Sequence, residues 1–251
     1  MSVILALHAH PDDIETLAAG TLALLVAKGH SLVIATASAG DCGSAEHTPE
    51  ETARIRQREA ARAAAMIGAD YRCAGFGDLA VFNDDASRRR VTELVRASKA
   101  ELVITAAPAD YHPDHEAISV LARDACFAAS APNYRTGPSA PLPAIPHLYF
   151  TDPIGGRDRE GRPVPPDFAV DIGAQIETKR AMLAAHESQK SWVLKQHGIA
   201  DYEGSMIAWS ARRGRDFGVA HAEGFRQYRN TPYPREPLLQ DLVGDALLKL
   251  A

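Results

Sequence analysis

An apolar run, Val3-Ile4-Leu5-Ala6-Leu7, leads into the polar run Ala9-His10-Pro11-Asp12-Asp13, and this junction is the most informative feature of the sequence. The apolar run predicts a buried first strand. One imidazole and two carboxylates at the end of such a strand would be costly to bury without a charged partner. A metal ion suits these groups, so the junction predicts a metal site where strand one ends.

A second polar cluster follows another buried strand about a hundred residues later. The strand is predicted over 101–107, and His112-Pro113-Asp114-His115 comes after it. Together the two clusters offer two imidazoles and one carboxylate to a metal ion. This set leaves coordination positions open for water and substrate, which indicates a catalytic rather than a structural metal.

Strands and helices alternate through the first 130 residues. Strands are predicted near 2–8, 31–38, 70–75 and 101–107, and helices near 14–29, 50–67, 87–99 and 114–130. This alternation predicts an α/β, Rossmann-like, doubly wound and mostly parallel sheet of order 3-2-1-4-5. Strands one and four are neighbours in that order, and ligands bind at their carboxyl ends. We therefore expect the two polar clusters to meet there.

The second half of the chain has a weaker pattern. Prolines and glycines across 131–168 predict a substrate-loop insertion around a strand near 147–150. Helices are predicted near 173–188, 204–213 and 237–250, and residues 231–251 form a C-terminal tail or helix. We interpret the chain as one domain over 1–251, with Trp192 and Trp209 as core or interface anchors rather than sugar platforms.

Composition narrows the classes of function. The 251 residues are 46% hydrophobic, enough for one sizeable core, and the net charge of −5 gives no general attraction for nucleic acid or an anionic membrane. The three cysteines have no C-x-x-C spacing, which favours a reduced, cytoplasmic setting. The first strand begins near Met1 and no apolar run reaches the roughly 18 residues of a membrane span. We expect an unprocessed cytoplasmic protein with a small-molecule substrate.

The two clusters together can hydrolyse an amide. A metal ion held by His10, Asp13 and one histidine of the second cluster would lower the pKa of a water to about 7. Asp12 could accept the proton of that water as a general base. The remaining imidazole, held by a carboxylate such as Asp114, could stabilise an oxyanion or protonate a leaving amine.

These motifs resemble the GlcNAc-PI de-N-acetylase (PIG-L, or LmbE-like) superfamily of zinc-dependent sugar N-deacetylases. Besides the two His-Pro-Asp motifs, the similar segments are Gly40-Asp41-Cys42-Gly43, Arg56-x-x-Glu59, Gly75-Phe76-Gly77-Asp78, His186-Glu187-Ser188-Gln189 and Ala222-Glu223-Gly224-Phe225. The resemblance covers residue 3 to about residue 228. His221 departs from it, since many members have a tyrosine there, and 131–168 matches no substrate loop of the family.

The resemblance implies a role for each motif residue. His10, Asp13 and His115 would be the zinc ligands, Asp12 the general base, and His112 the electrostatic or acid partner oriented through Asp114, while Arg56 and Asp78 would hold sugar hydroxyls. The implied metal is Zn²⁺, with Fe²⁺ or another divalent ion as the alternative. Related enzymes often form homo-oligomers, which leaves a homo-oligomer open here.

The predicted function is removal of an N-acetyl or similar acyl group from an amino sugar or glycoconjugate. The first alternative is a metal-dependent hydratase or lyase that adds water to an unsaturated carboxylic acid, with Arg56 or Arg135 on the substrate carboxylate. Two histidines and a carboxylate also suit non-haem Fe(II) oxygenases. A dinucleotide-binding module is disfavoured, because His10-Pro11-Asp12-Asp13 stands where a glycine-rich phosphate loop would be needed.

Overall fold

Strand β1 (Val3–His8) lies in the middle of the sheet, between β2 (Ser31–Ser38) and β4 (Leu102–Thr105), and runs parallel to both. In the computed structural model, which describes residues 1–249, β3 (Asp70–Phe76) pairs with β2 and β5 (His147–Thr151) pairs with β4, both in parallel. The order β3-β2-β1-β4-β5 confirms the predicted arrangement.

Successive residues of β1 face two separate apolar layers, as expected for a strand buried on both faces. Ile4 and Ala6 lie in one layer, and Leu5 and Leu7 lie in the other. The helices that cover this part of the sheet are α1 (Asp13–Leu17), α2 (Ala19–Ala27), α3 (Pro49–Ala65), α4 (Asp85–Ser98) and α5 (Pro113–Ala129).

The single helix predicted over 14–29 is two helices that meet at Ala18. Ala18 has a φ of −142°, outside helical geometry. The carboxylate of Glu223 accepts hydrogen bonds from the backbone N–H groups of Gly20 and Thr21, at 3.0 and 2.7 Å. A carboxylate at these free N–H groups stabilises a new helix start, so a distant residue divides a segment whose own pattern is continuous.

Three antiparallel strands extend the sheet beyond β5: β7 (Ala222–Tyr228), β6 (Phe168–Asp171) and β8 (Leu247–Lys249). Strands β6 and β7 were not predicted from the sequence. The predicted closing helix over 237–250 is wrong beyond α9 (Leu238–Val243), because Leu247 pairs with Val170 in the sheet. The end of that predicted helix, residue 250, lies outside the described residues.

Three helices follow β6 along the chain: α6 (Ile176–Ala184), α7 (Glu187–His197) and α8 (Tyr202–Asp216). The helix predicted over 173–188 corresponds to α6, and the one over 204–213 corresponds to α8 with wider bounds. Helix α7 was not predicted. Among residues 1–249, no helix has the length and apolar character needed to cross a membrane.

Candidate active site

A cavity of about 920 Å³ opens at the carboxyl ends of β1 and β4. His10, Asp12 and Asp13 reach it from the loop after β1, and His112 and His115 reach it from the start of α5. The structure therefore brings the two polar clusters together at the place that the strand order predicts.

Asp13 lies at the centre of the cluster. Its Oδ2 accepts the Nδ1–H of His8 at 2.8 Å and the backbone N–H of His10 at 2.7 Å, and its Oδ1 lies 3.3 Å from His115 Nε2. Burial alone would raise the pKa of Asp13, but His115, His8 and His10 hold it well below its usual value. Asp13 is therefore a carboxylate surrounded by imidazoles.

The cluster contains several sets of donor atoms suited to a divalent cation. Within each of three groups the donor atoms lie within 4.8 Å of one another: His10, His112 and His115; His8, Asp13 and His115; His10, Asp78 and Asp114. Imidazole with carboxylate suits zinc and iron. These buried donors fit the implied metal, and both predicted histidine ligands belong to these groups.

His8 is a member of this cluster that the sequence analysis missed. Its side chain is fully buried and contacts Asp13. The available signal was its position, because His8 is the last residue of β1 and directly precedes the polar run.

His10 uses both of its ring nitrogens. Nδ1 lies 3.4 Å from Asp13 Oδ2, while Nε2 lies 3.0 Å from Asp78 Oδ1 and 3.3 Å from Asp114 Oδ2. Burial alone would lower the pKa of His10, but the contacts with Asp114, Asp13 and Asp78 raise it well above its usual value. Carboxylates behind a ligating imidazole fix its orientation and increase its basicity.

The contacts of Asp114 differ from the prediction that its carboxylate orients His112. The carboxylate contacts His10 and accepts the backbone N–H of Leu79 at 2.7 Å. Its own backbone N–H donates to His112 Nδ1 at 3.2 Å. The reason is local: His112 is the N-cap of α5, and Asp114 has one of the free N–H groups of the first turn.

This N-cap hydrogen bond defines which ring nitrogen of His112 carries the proton. Because Nδ1 accepts a hydrogen bond, the neutral ring carries its proton on Nε2. Burial and the nearby His10 and His115 lower the pKa of His112. His112 is therefore arranged as a neutral hydrogen-bond donor, which suits an electrostatic partner better than a proton-donating acid.

Asp12 stands next to the cluster in a left-handed conformation, with a φ of 94°. The Tyr202 hydroxyl donates to its Oδ2 at 2.7 Å, and a guanidinium nitrogen of Arg56 lies 3.4 Å from the same oxygen. Burial raises the pKa of Asp12, and Arg56, His186 and Tyr202 offset only part of that rise.

The two predicted sugar-binding residues, Arg56 and Asp78, also line the cavity. Arg56 is 4% exposed and donates to the carbonyls of Pro11 at 2.6 Å and Gly40 at 3.0 Å. A side chain on Gly40 would collide with this guanidinium, and Gly40 has a positive φ. Arg56 thus holds the loop that carries Asp12.

The opposite side of the cavity consists of helix faces from α7 and α8. Tyr202, Ser205, Met206 and Trp209 follow the i, i+3, i+4, i+7 spacing of one helix face, and all four line the cavity. Trp192 lines it from α7. Both tryptophans were expected in a core or an interface, whereas the structure places them on the cavity wall.

These features define an α/β protein with a histidine and aspartate site at the carboxyl ends of its central strands. A family model described as PIG-L, GlcNAc-PI de-N-acetylase, matches residues 5–126. The resemblance to the PIG-L family, inferred above from the motifs, is thereby confirmed.

Similarity to individual proteins extends over more of the chain. A 4-oxalmesaconate hydratase of Pseudomonas putida strain KT2440 is 26% identical over 194 residues, which cover 74% of this chain and 73% of the hydratase. A structure of a conserved protein from Thermus thermophilus has 29% identity and a TM-score of 0.75, covering 94% of this chain and all of that one.

The fold is also that of N,N'-diacetylchitobiose deacetylase from Pyrococcus horikoshii. The two chains are 21% identical with a TM-score of 0.77, covering 94% of this chain and 88% of the deacetylase. The chain is thus similar to PIG-L family proteins over residues 5–126, and its site contains residues suited to a metal ion.

Proposed function

We propose that the protein is a metal-dependent hydrolase that removes an acetyl or similar acyl group from the nitrogen of an amino sugar or glycoconjugate. One observation carries the proposal. Asp12, a carboxylate that is largely shielded from solvent, and His112, a neutral imidazole that can donate a hydrogen bond, line the same cavity beside the metal-type cluster. Amide hydrolysis needs a proton acceptor for water and a donor that stabilises the developing oxyanion.

His10, Asp13 and His115 would hold the metal ion, as the family resemblance implies. When bound, a divalent ion supplies Lewis acidity, which polarises a carbonyl and makes water acidic. Asp114 and Asp78 contact the second nitrogen of His10 and so fix the ring for this task.

Asp12 would take the proton from the attacking water. Its raised pKa makes it a stronger base than an exposed aspartate, and Tyr202 and Arg56 orient its carboxylate. Asp12 would then pass this proton to the leaving nitrogen, while the Nε2–H of His112 would donate a hydrogen bond to the developing oxyanion. Asp78 stays the proposed partner for a sugar hydroxyl, and Arg56 contributes through the loop it holds.

Charge favours a neutral acylated substrate over an unsaturated acid. The cavity is lined by Asp12, Asp13 and Asp78, while its arginines among the described residues are Arg56 and Arg212. Arg56 is already bound to the loop, and Arg135 does not belong to the cavity lining that residues 1–249 form. A substrate with several carboxylates would meet few free guanidinium groups.

A hydratase is the second candidate, and the relative named a 4-oxalmesaconate hydratase favours it. The same base and donor could add water across a double bond. Zinc as the metal, a cytoplasmic location and a homo-oligomer stay predictions from the sequence.

The test is acetate release from a panel of N-acetylglucosaminyl compounds by the zinc-loaded protein, run beside hydration of unsaturated di- and tricarboxylic acids. Asp12→Asn should keep its metal and lose about 10²- to 10⁴-fold in kcat, because a general base contributes that much. His115→Ala should lose the metal as well.

Asp70→Asn is the matched control, since Asp70 is an exposed carboxylate at the start of β3. Near-normal turnover by Asp12→Asn would overturn the assignment of the base. Hydration of the acids with no acetate release would replace the hydrolase by the hydratase.

A further inference from the structure

The lining of the cavity has two chemically different parts. One part is the histidines and aspartates of the site, and the other includes five apolar residues of α7, α8 and their connection. We call these five the apolar wall: Trp192, Val193, Ile199, Met206 and Trp209. Ile154, from the segment after β5, extends the apolar lining. An apolar surface beside a polar site favours a ligand with both characters.

The size of the cavity points the same way. Its volume of about 920 Å³ is at the upper end of the roughly 300–1,000 Å³ found for pockets that bind drug-sized ligands. A single acetylated sugar placed at the aspartates and histidines would leave the apolar wall in contact with water. Covering that surface with an apolar group is favourable.

The apolar wall is fixed before any ligand binds. Arg213 pairs with Asp152 through an Nε to Oδ2 distance of 2.8 Å, and its guanidinium lies 5.2 Å from the centre of the Trp209 ring. The backbone also packs closely against the ring, because a Cβ at Gly156 would come within 2.5 Å of it. Trp209 is thus in contact with a buried ion pair and a closely packed backbone.

Helix α7 is held equally well. The backbone N–H and hydroxyl of Ser188 donate to the Glu59 carboxylate at 2.9 and 2.6 Å, which ties α7 to α3. Lys190 on α7 pairs with Glu203 on α8 at 2.7 Å. A preorganised surface binds with less loss of conformational entropy.

We propose that the apolar wall is a substrate subsite for an alkyl or aryl group that the acylated amine carries in addition to its polar part. The inference rests on the proposed function only for the identity of the polar part. The apolar group is either attached to the sugar or forms the acyl chain, and both cases share the same chemistry.

Binding of glucosides that lack an acyl group tests the subsite without requiring turnover. The probes are methyl β-D-glucoside and hexyl β-D-glucoside. The chain has two tryptophans, both on the apolar wall, so intrinsic fluorescence reports directly on its occupancy. We expect hexyl β-D-glucoside to bind at least tenfold more tightly than the methyl compound and to change the tryptophan emission.

Two variants and a control test whether the preference for the hexyl probe comes from the apolar wall. Val193→Thr keeps the shape of the side chain and adds a hydroxyl, so it should reduce the preference for the hexyl probe several-fold, and Trp209→Ala should reduce it further. Phe127→Ala should leave the preference intact, because Phe127 is 53% exposed on α5 and lies outside the cavity lining. Equal binding of the two probes, or a preference unchanged in both wall variants, would overturn the proposal.

Turnover separates this proposal from the proposed function. The kcat/KM for hexyl N-acetylglucosaminide is compared with that for N-hexanoylglucosamine, and the faster one shows which part of the substrate meets the apolar wall. A retained binding preference with no hydrolysis of either compound would keep the subsite and reject the deacetylase.

Discussion

Residues 1–129 and residues 131–216 form one cavity in different ways. The first region supplies titratable groups from short motifs at the ends of β1 and β4, within two or three residues of their strands or helix starts. The second supplies helix faces whose lining residues are spread along α7 and α8. Chemistry concentrated at strand ends is visible in a sequence, whereas a surface made by helix placement is not.

The largest effect expected in the first region is a pH dependence of metal affinity. Burial alone would lower the pKa of His115, but Asp13 and Asp110 raise it to about 9. The metal-free site therefore holds a proton that a metal must displace. Affinity should therefore rise with pH from 7 to about 9, and the proton on His115 alone makes it about 100-fold weaker at pH 7. The raised pKa of His10 acts in the same direction.

Metal titrations in buffers of different protonation enthalpy measure this proton release. Asp110→Asn provides the comparison, because it removes a carboxylate that raises the pKa of His115 and should move the curve to lower pH. A metal affinity independent of pH between 7 and 9 would contradict the prediction.

A smaller effect is expected from the carboxylates behind His10. Asp114→Asn removes the charge next to His10 Nε2 while keeping an oxygen that can accept the Leu79 N–H. Loss of such a partner typically lowers metal affinity about 10- to 100-fold. Asp124→Asn is the control, since Asp124 lies on the same helix and pairs with Arg88 and Arg123 near the surface. Equal affinities in the two variants would show that Asp114 does not support His10.

The sequence was sufficient for the sheet order and for the meeting of the two clusters, because buried strands and polar strand ends are local signals. The sequence was insufficient wherever a residue far away in the chain determines a helix boundary or the partner of a side chain. Glu223 starts α2 across a break that no local pattern shows. The partner of the Asp114 carboxylate is His10 rather than His112, because α5 turns that side chain toward β1.

The second region depends even more on distant contacts. Ser188 is held by Glu59, 129 residues earlier, and Arg213 is held by Asp152. These contacts set where α7 and α8 lie, and therefore which of their faces lines the cavity. The helical spacing of Tyr202, Met206 and Trp209 predicts a shared face but does not say what that face meets.

The smallest expected effect tests whether backbone packing holds the apolar wall. Gly156 and Gly161 both have a positive φ, of 67° and 78°. A Cβ at Gly156 would collide with Trp209, whereas nothing lies within 4 Å of a Cβ at Gly161. Replacement by alanine should cost both variants roughly 1–2 kcal/mol of backbone strain, which lowers Tm by roughly 2–4 °C for each kcal/mol.

Only Gly156→Ala should also displace the Trp209 ring. We therefore expect a several-fold weaker affinity for hexyl β-D-glucoside and an altered tryptophan emission in Gly156→Ala, and neither change in Gly161→Ala. Thermal melts and fluorescence titrations of the two variants measure both quantities. If both variants bind the probe like the wild type, α8 alone sets the position of Trp209. In that case the packing of the helices forms the apolar wall, and the segment after β5 that contains Gly156 does not contribute to it.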